Sequence, residues 1–480
     1  MFLIICTLLV FFYFFYSGIE LNTLSIVSVQ QIRKTQKRLY KQKRDPEDFP
    51  FIVLLIPVLS EQKIIRETLL HFSKLRYPKN RVKVIFITTQ KEPLGKITTH
   101  EILEETIPDI NKAIGKKIFE VVHYPLSFGG RAHQLNYAVS KLNSLVDEKI
   151  VESSTYIGVY DVDSLPDERS LEILAMSAVD HFKKHGVFPS IYQQPALYLG
   201  NIASLSRNLS GILLKTEGFI QTRWSLGYEI PRWNREYSML MNRTNPSSMK
   251  NLFLRQLTYA VGHGEYFRLD VLRQLKLFPV YLPVTDDLAI GHIASFLSIP
   301  KLVIPCFDVT KVPRSVYANI KQAGTWFGGS TYLSRNFLEA RKISGNSLSN
   351  LQSFKLLIDG YLTMLAWMSR PFLWGIAFFF AVVWIKDPFI LLFSIVAFIL
   401  YAIAGTLTVF LLQSRIRSLY RGADVLDYEP GVVEFLLLLV LGSTGNFFIR
   451  SFGPVRYTFL RVWHILLRRN LEKVYTKTER

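Results

Sequence analysis

The chain has 480 residues, 49 % of them hydrophobic and 14 % aromatic, a mean hydropathy of +0.20 and a formal charge of +19. That balance favours a membrane protein over a soluble one, and the two cysteines, Cys6 and Cys306, leave no disulfide framework or cysteine-based zinc site. Nucleic acid is not the expected partner, because the basic clusters flank apolar segments rather than interleave with aromatics on a soluble face.

Residues 2–16 carry no charge and lack both a basic leader and a small-residue cleavage site, so they read as a retained anchor (1–30). A juxtamembrane linker (31–48) follows, in which Arg33, Lys34, Lys37, Arg38, Lys41, Lys43 and Arg44 meet anionic lipid. The same run places the following domain in the cytosol, with the plasma membrane as the expected location. The soluble block spans 49–345. Strands are predicted over 51–57, 83–88, 118–123 and 156–160, with helices over 61–72 (capped by Ser60), 98–105 and 132–142 between them. Strands alternating with helices at this spacing predict βαβ units and a mainly parallel sheet covered on both faces. Residues 224–255, rich in Arg, Asn, Trp and Tyr, read as an irregular insert.

Beyond the domain, 346–370 reads as an interfacial helix, the alternative being half of a kinked span broken at Pro371. The membrane region is 371–450. Within it 389–413 is long enough to cross, since a span needs about 20 apolar residues. The stretch 432–449 is expected to be re-entrant or interfacial, because the tail 451–480 is basic and belongs in the cytosol.

Chemistry concentrates at a few loops. The first strand ends at Pro57-Val-Leu-Ser-Glu61, and the third leads to Gly129-Gly-Arg131. The fourth ends in Asp161-Val-Asp163. Ligands of open α/β sheets bind outside the carboxyl ends of the strands, and two aspartates there suit Mg²⁺ or Mn²⁺ clamping a diphosphate. A solvated turn would also place Asp, Ser and Pro after a strand, so the triplet is informative only in its setting. Further along come Gly262-His-Gly-Glu265, Thr285-Asp-Asp287 and Lys321-Gln-Ala-Gly-Thr-Trp326.

Taken in this order, the motifs resemble the membrane-integral, inverting family 2 glycosyltransferases over about residues 49–330. The resemblance implies an α/β GT-A domain (Rossmann-like, binding a nucleotide-diphospho-sugar) joined to α-helical transmembrane segments. It implies a divalent metal, Mn or Mg, on Asp163 and Asp161, and donor contacts from Pro57, Glu61 and Arg131. Arg131 is equally well read as a solvated basic loop residue, and Glu61 as an acid favoured by a helix N-terminus. Asp287 takes the place of the family's general base and Asp286 that of a structural or orienting neighbour; a helix N-cap at Thr285 or Asp286 is the plainer reading. His263 would touch phosphate or acceptor, or be structural. Gln322 and Trp326 match the family's acceptor loop, where Trp326 stacks on a sugar or anchors at the interface. Thr325 stands where the family has an arginine, and Arg223 would replace that guanidinium if the 224–255 insert folds back over the site. The family's acid after the second strand is missing from Ile87-Thr-Thr-Gln-Lys-Glu92.

The implied activity is transfer of a sugar from a nucleotide-sugar donor to a saccharide or polyprenyl-lipid-linked acceptor at the bilayer. A processive polysaccharide synthase coupled to export is the alternative. A non-catalytic regulatory membrane protein and a nucleotidyl transferase acting on lipid are the rivals outside that class.

Overall fold

The computed structural model describes residues 1–92, 97–146, 150–241, 254–282, 284–345, 350–422 and 426–467. Ten strands occur among them: β1 (Phe51–Pro57), β2 (Val82–Thr89), β3 (Phe119–Tyr124), β4 (Thr155–Val159), β5 (Leu165–Pro166), β6 (Ile191–Gln193), β7 (Ala196–Leu197), β8 (Glu265–Arg268), β9 (Lys301–Val303) and β10 (Asp308–Val309). Seven form one sheet in the order β3-β2-β1-β4-β8-β6-β9, and β5, β10 and β7 form a small second sheet.

The half from β3 to β4 is parallel, as the alternation of strands and helices predicts. β8 breaks the rule. It follows a long helical excursion and returns antiparallel to both β4 and β6. Along β1, Ile52, Leu54 and Ile56 enter the core on one face while Val53 and Leu55 enter the other. Burial on both faces is why the strand reads as an unbroken apolar run. The first predicted helix starts later than expected: Ser60 adopts a positive φ of 56°, a turn occupies the next residues, and the helix runs Ile65–Ser73.

The expected irregular insert is instead helical over 224–241. Leu209–Trp224 continues through a wide turn at Ser225–Glu229 into Ile230–Met241, and residues 242–253 lie outside the described ones. Its polar composition misled because several of its polar groups are answered in the interior. Trp233 Nε1 donates to Tyr259 O at 2.9 Å, and Lys301 Nζ pairs with Glu236 at 3.2 Å.

Among the described residues four helices, Phe2–Lys41, Leu351–Ile385, Pro388–Leu419 and Val432–Leu466, are long and apolar enough to cross a membrane. The first has 40 residues and at about 1.5 Å per residue far exceeds the hydrocarbon. It therefore also covers most of the expected 31–48 linker, and Gln36 Nε2 donates to Pro305 O at 2.7 Å on the sheet domain. The break at Pro371 that the kinked-span alternative called for is absent, since one helix runs Asn350–Phe380 through it. Proline at 371 frees the carbonyl four residues earlier, that of Trp367. Ser451 Oγ donates to that oxygen at 3.0 Å, so the helix continues without an orphaned acceptor.

The helix beginning at Val432 meets the domain along its length. Glu434 pairs with Lys215, Asn446 Nδ2 donates to Leu213 O at 2.7 Å, and Arg461 donates to Thr331 Oγ1. Gly453 lies against Ala323 and Gly324, so close that a Cβ at Gly453 would sit 2.7 Å from the backbone of Gly324.

β4 carries the aspartate pair, and its Gly158 has no room for a side chain. A Cβ there would lie 2.5 Å from Tyr266 Cε1 and 2.8 Å from Leu54 Cδ2. Gly158→Ala is expected to cost roughly 1–3 kcal/mol of stability, as overpacking does. Thermal unfolding in detergent checks it: a lowered Tm is expected, and an unchanged one refutes the close packing.

Candidate functional site

The carboxyl edge of the parallel half and the loops around β8 bring most of the sequence-singled residues together. Tyr160 N donates to Leu55 O, and the chain then turns, with Ser164 N donating to Asp161 O at 3.1 Å. The carbonyl of Val162 is pinned by Thr68 Oγ1 at 2.6 Å. The two aspartates thus stand in different surroundings. Asp161 keeps 28 % of its side chain exposed and faces Arg131, whereas Asp163 is buried beside the His263–Asp308 pair, whose proton affinities it raises.

Arg131 is the hub. It begins the helix Arg131–Ser140 after Gly129, whose φ of 91° favours glycine. Its Nη1 lies 3.1 Å from Asp286 Oδ2, its Nε 3.8 Å from Asp161 Oδ1 and its Nη2 3.8 Å from Glu265 Oε1, and Nη2 also donates to Gly262 O. Burial opposes its charge, but Asp286, Asp161, Glu265 and Asp287 outweigh burial and raise its pKa. The reading of Arg131 as a solvated loop residue is therefore overturned.

Asp287 faces the same centre. A Cβ on Gly262 would lie 2.9 Å from Asp287 Oδ2, so glycine is what lets this carboxylate approach. Desolvation pushes the Asp287 pKa up to about 6, Arg131 pulls against that, and the neighbouring Asp286 adds to it. The helix Asp286–Phe296 starts immediately after Thr285. Thr285 holds a φ of 67° and makes no side-chain cap, its hydroxyl turning back to Val284 O. A β-branched residue in the left-handed region is strained, and such strain clusters at functional sites. The plain N-cap reading of Thr285 fails with it.

Glu265 and Asp308 were not singled out by the sequence. Glu265 is fully buried, neither oxygen has a hydrogen-bond partner among the described residues, and burial raises its pKa well above the carboxylate range against the pull of Arg131. Its strand register offers a signal, since it pairs with Val159 at the end of the strand delivering Asp161. Asp308 Oδ2 lies 2.5 Å from His263 Nδ1. Burial lowers the proton affinity of His263, and the hydrogen bond and charge of Asp308 reverse that and raise it.

The remaining residues are distributed around this centre. Pro57 ends β1, and Glu61 follows a loop in which Ser60 N and Thr99 N donate to the two oxygens of Glu92, each at 2.7 Å. Glu92 is thereby held by backbone amides. Trp326, on the helix Val316–Ser330, lines a cavity with Asp287, and its ring meets Tyr198 at 6.3 Å. Gln322 is buried in that helix away from the cavity wall, and Thr325 bonds back to Lys321 O. Arg223 does not reach the aspartate pair. Its helix packs against the apolar helices, and its guanidinium donates to Tyr401 O at 2.6 Å.

Among the described residues no group of three or more His, Cys, Asp or Glu side chains is arranged to hold a metal by itself. Asp161 and Asp163 offer hard oxygen donors, which fits an ion of the Mg²⁺ or Mn²⁺ kind that takes its other ligands from phosphate and water.

Arg131→Gln is expected to lower Tm, because it leaves Asp286, Asp161, Glu265 and Asp287 facing one another. The Asp287 pKa, already above its unfolded value, rises further without Arg131. The folded variant then binds more protons than the unfolded chain, so stability should recover as pH falls through that pKa. Melting curves between pH 8 and about 5 test it; a deficit independent of pH refutes the electrostatic account.

No family model matches the chain, and no curated protein does. Solved structures do align with it. The mannosyltransferase PcManGT from Pyrobaculum calidifontis, in complex with GDP-Man and Mn2+, aligns at 14 % identity over 94 % of this chain and 99 % of its own, with a TM-score of 0.45. S. aureus TarS 1-349 aligns at 13 % identity over 82 % of this chain and 92 % of its own, TM-score 0.38. Its complex with UDP-GlcNAc aligns at 12 % over 77 % and 89 %, TM-score 0.32.

Proposed function

We propose that the chain is a membrane-integral, metal-dependent inverting glycosyltransferase of the GT-A type and of family 2. The donor is a nucleotide sugar, and the acceptor a saccharide or lipid-linked saccharide at the bilayer. The observation that carries this reading is the convergence on Arg131 of Asp161 from the end of β4 and of the Asp286–Asp287 pair, beside a cavity that Asp287 and Trp326 share.

Each residue has a role in a balanced displacement. A divalent ion on Asp161 and Asp163 would neutralise the charge that develops on the departing diphosphate. Asp287 accepts the proton of the acceptor hydroxyl as its oxygen attacks the anomeric carbon. The new C–O bond forms opposite the breaking sugar–phosphate bond, which inverts the configuration. Arg131 opposes the rise in the Asp287 pKa and fixes Asp286 by their ion pair. Trp326 offers a flat apolar face to the acceptor sugar. The basic run 33–44 at the end of the first helix supports a cytosolic catalytic domain at the plasma membrane. A processive synthase is the second reading, favoured by the continuation of the cavity to Tyr401 and Phe447 on the apolar helices; product length separates it from single transfer.

Purified protein incubated with a panel of nucleotide sugars and Mn²⁺ should release a nucleoside diphosphate. Asp163→Ala should abolish release, and Asp287→Asn should lower it by about 10²–10⁴-fold, the usual contribution of a general base. Unchanged turnover in both variants refutes the assignment.

The rate should also fall as pH drops through about 6, where Asp287 gains its proton. Asp286→Asn removes a charge that raises this pKa, so the acid limb should move to lower pH. A limb unmoved by that change excludes Asp287 as the group observed.

A further inference from the structure

Behind Asp287 and Trp326 the cavity, about 190 Å³, continues between the apolar helices, where Arg223, Arg370 and Arg450 line it. Arg370 lies inside the helix Leu351–Ile385, beside Pro371, and Arg450 inside Val432–Leu466. A charged residue within an apolar span is costly, and its partner indicates its purpose.

Interfacial arginines commonly extend outward to lipid headgroups. These point inward. Arg370 donates to Tyr13 OH at 2.9 Å and Tyr401 OH at 3.2 Å, and lies 5.9 Å over the Trp224 ring. Arg223 donates to the Tyr401 carbonyl and lies 5.5 Å over its ring. Among the described residues neither forms an ion pair with a carboxylate, whereas Arg450 meets Glu217 at 3.5 Å. Arg370 and Arg450 both act on the charge of Arg223, and Arg232 lines the same cavity, so four guanidiniums are gathered here against three acids, Glu217 beside Arg450 and Glu229 and Asp287 on the wall. The Trp367 indole N–H on the same wall also has no acceptor among the described residues. A wall of donors with surplus positive charge matches an anion, and guanidinium pairs match phosphate.

We propose that this cavity is an acceptor subsite for a phosphate-bearing membrane amphiphile, with Arg370 and Arg450 gripping the phosphate. The lipid chain leaves between the apolar helices, and the saccharide that the phosphate carries points to Asp287. This assignment rests on the glycosyltransferase reading of the Asp287 end and narrows its acceptor to a phosphate-linked one.

The probe is farnesyl phosphate, which has the phosphate and the apolar chain without the sugar, titrated into the full chain in maltoside micelles. Tryptophan fluorescence reports binding, because Trp224, Trp326 and Trp367 line the cavity. Farnesyl phosphate should bind at least about tenfold tighter than farnesol, the scale of a hydrogen bond to a charged group. Arg370→Gln and Arg450→Gln should each erase that preference, and Arg370→Lys should retain part of it. Equal binding of phosphate and alcohol to the wild type, which needs no variant to fold, overturns the proposal. So does a preference that survives in both glutamine variants. Inorganic phosphate competing as tightly would make this a free-phosphate site, and phosphatidylglycerol competing as tightly an ordinary lipid site; either overturns the acceptor role. Diphosphate release is measured separately. Release without phosphate selectivity refutes only the subsite, and selectivity without release from any donor refutes only the glycosyltransferase reading.

Discussion

The site depends on one guanidinium. Arg131 stands where the end of β4, the glycine loop before β8 and the helix Asp286–Phe296 meet, and each contributes an acid or a carbonyl to it. Without a central cation these groups would repel one another. With it, Asp286 is fixed, Asp161 stays near the rim and Asp287 holds a proton affinity close to neutral pH. Charge balance at this point sets the geometry of the cluster and tunes a candidate base together.

A second centre stands beside the first and uses the same logic. His263 and Asp308 form a buried pair adjoining Asp163, and Asp308 comes from the small sheet rather than the large one. Burial alone would lower the proton affinity of the histidine, and the hydrogen bond and charge of the carboxylate raise it. The two centres bracket the aspartate pair, one at its exposed member and one at its buried member.

The apolar helices are part of this site. The first helix runs on to the sheet domain through Gln36, and the last packs along Leu209–Trp224 and Val316–Ser330. The cavity at Asp287 thereby has its far wall on Tyr401, Phe447 and Arg450. Continuity of the helix through Pro371 matters here, because Ser451 both satisfies the freed Trp367 carbonyl and ties the last helix to that wall.

Much of this was legible in the chain itself. The parallel strands announced themselves because burial on both faces demands unbroken apolar runs, and the apolar helices because hydrocarbon demands length. The place of Asp161 and Asp163 at a strand end followed from the same periodicity, whereas Asp286 and Asp287 were marked by the resemblance and by a helix-capping signal. The sequence did not disclose Arg131 as the hub, the buried Glu265, the Asp308 partner of His263 or the inward course of Arg223 and Arg370. Each depends on groups far apart in the chain: Arg131 and Asp286 are separated by 155 positions, Arg223 and Tyr401 by 178. Local pattern records which face of an element is buried. Which charge answers which, and so which carboxylate keeps its proton, is decided only when tertiary packing removes water and brings distant groups within a few ångströms.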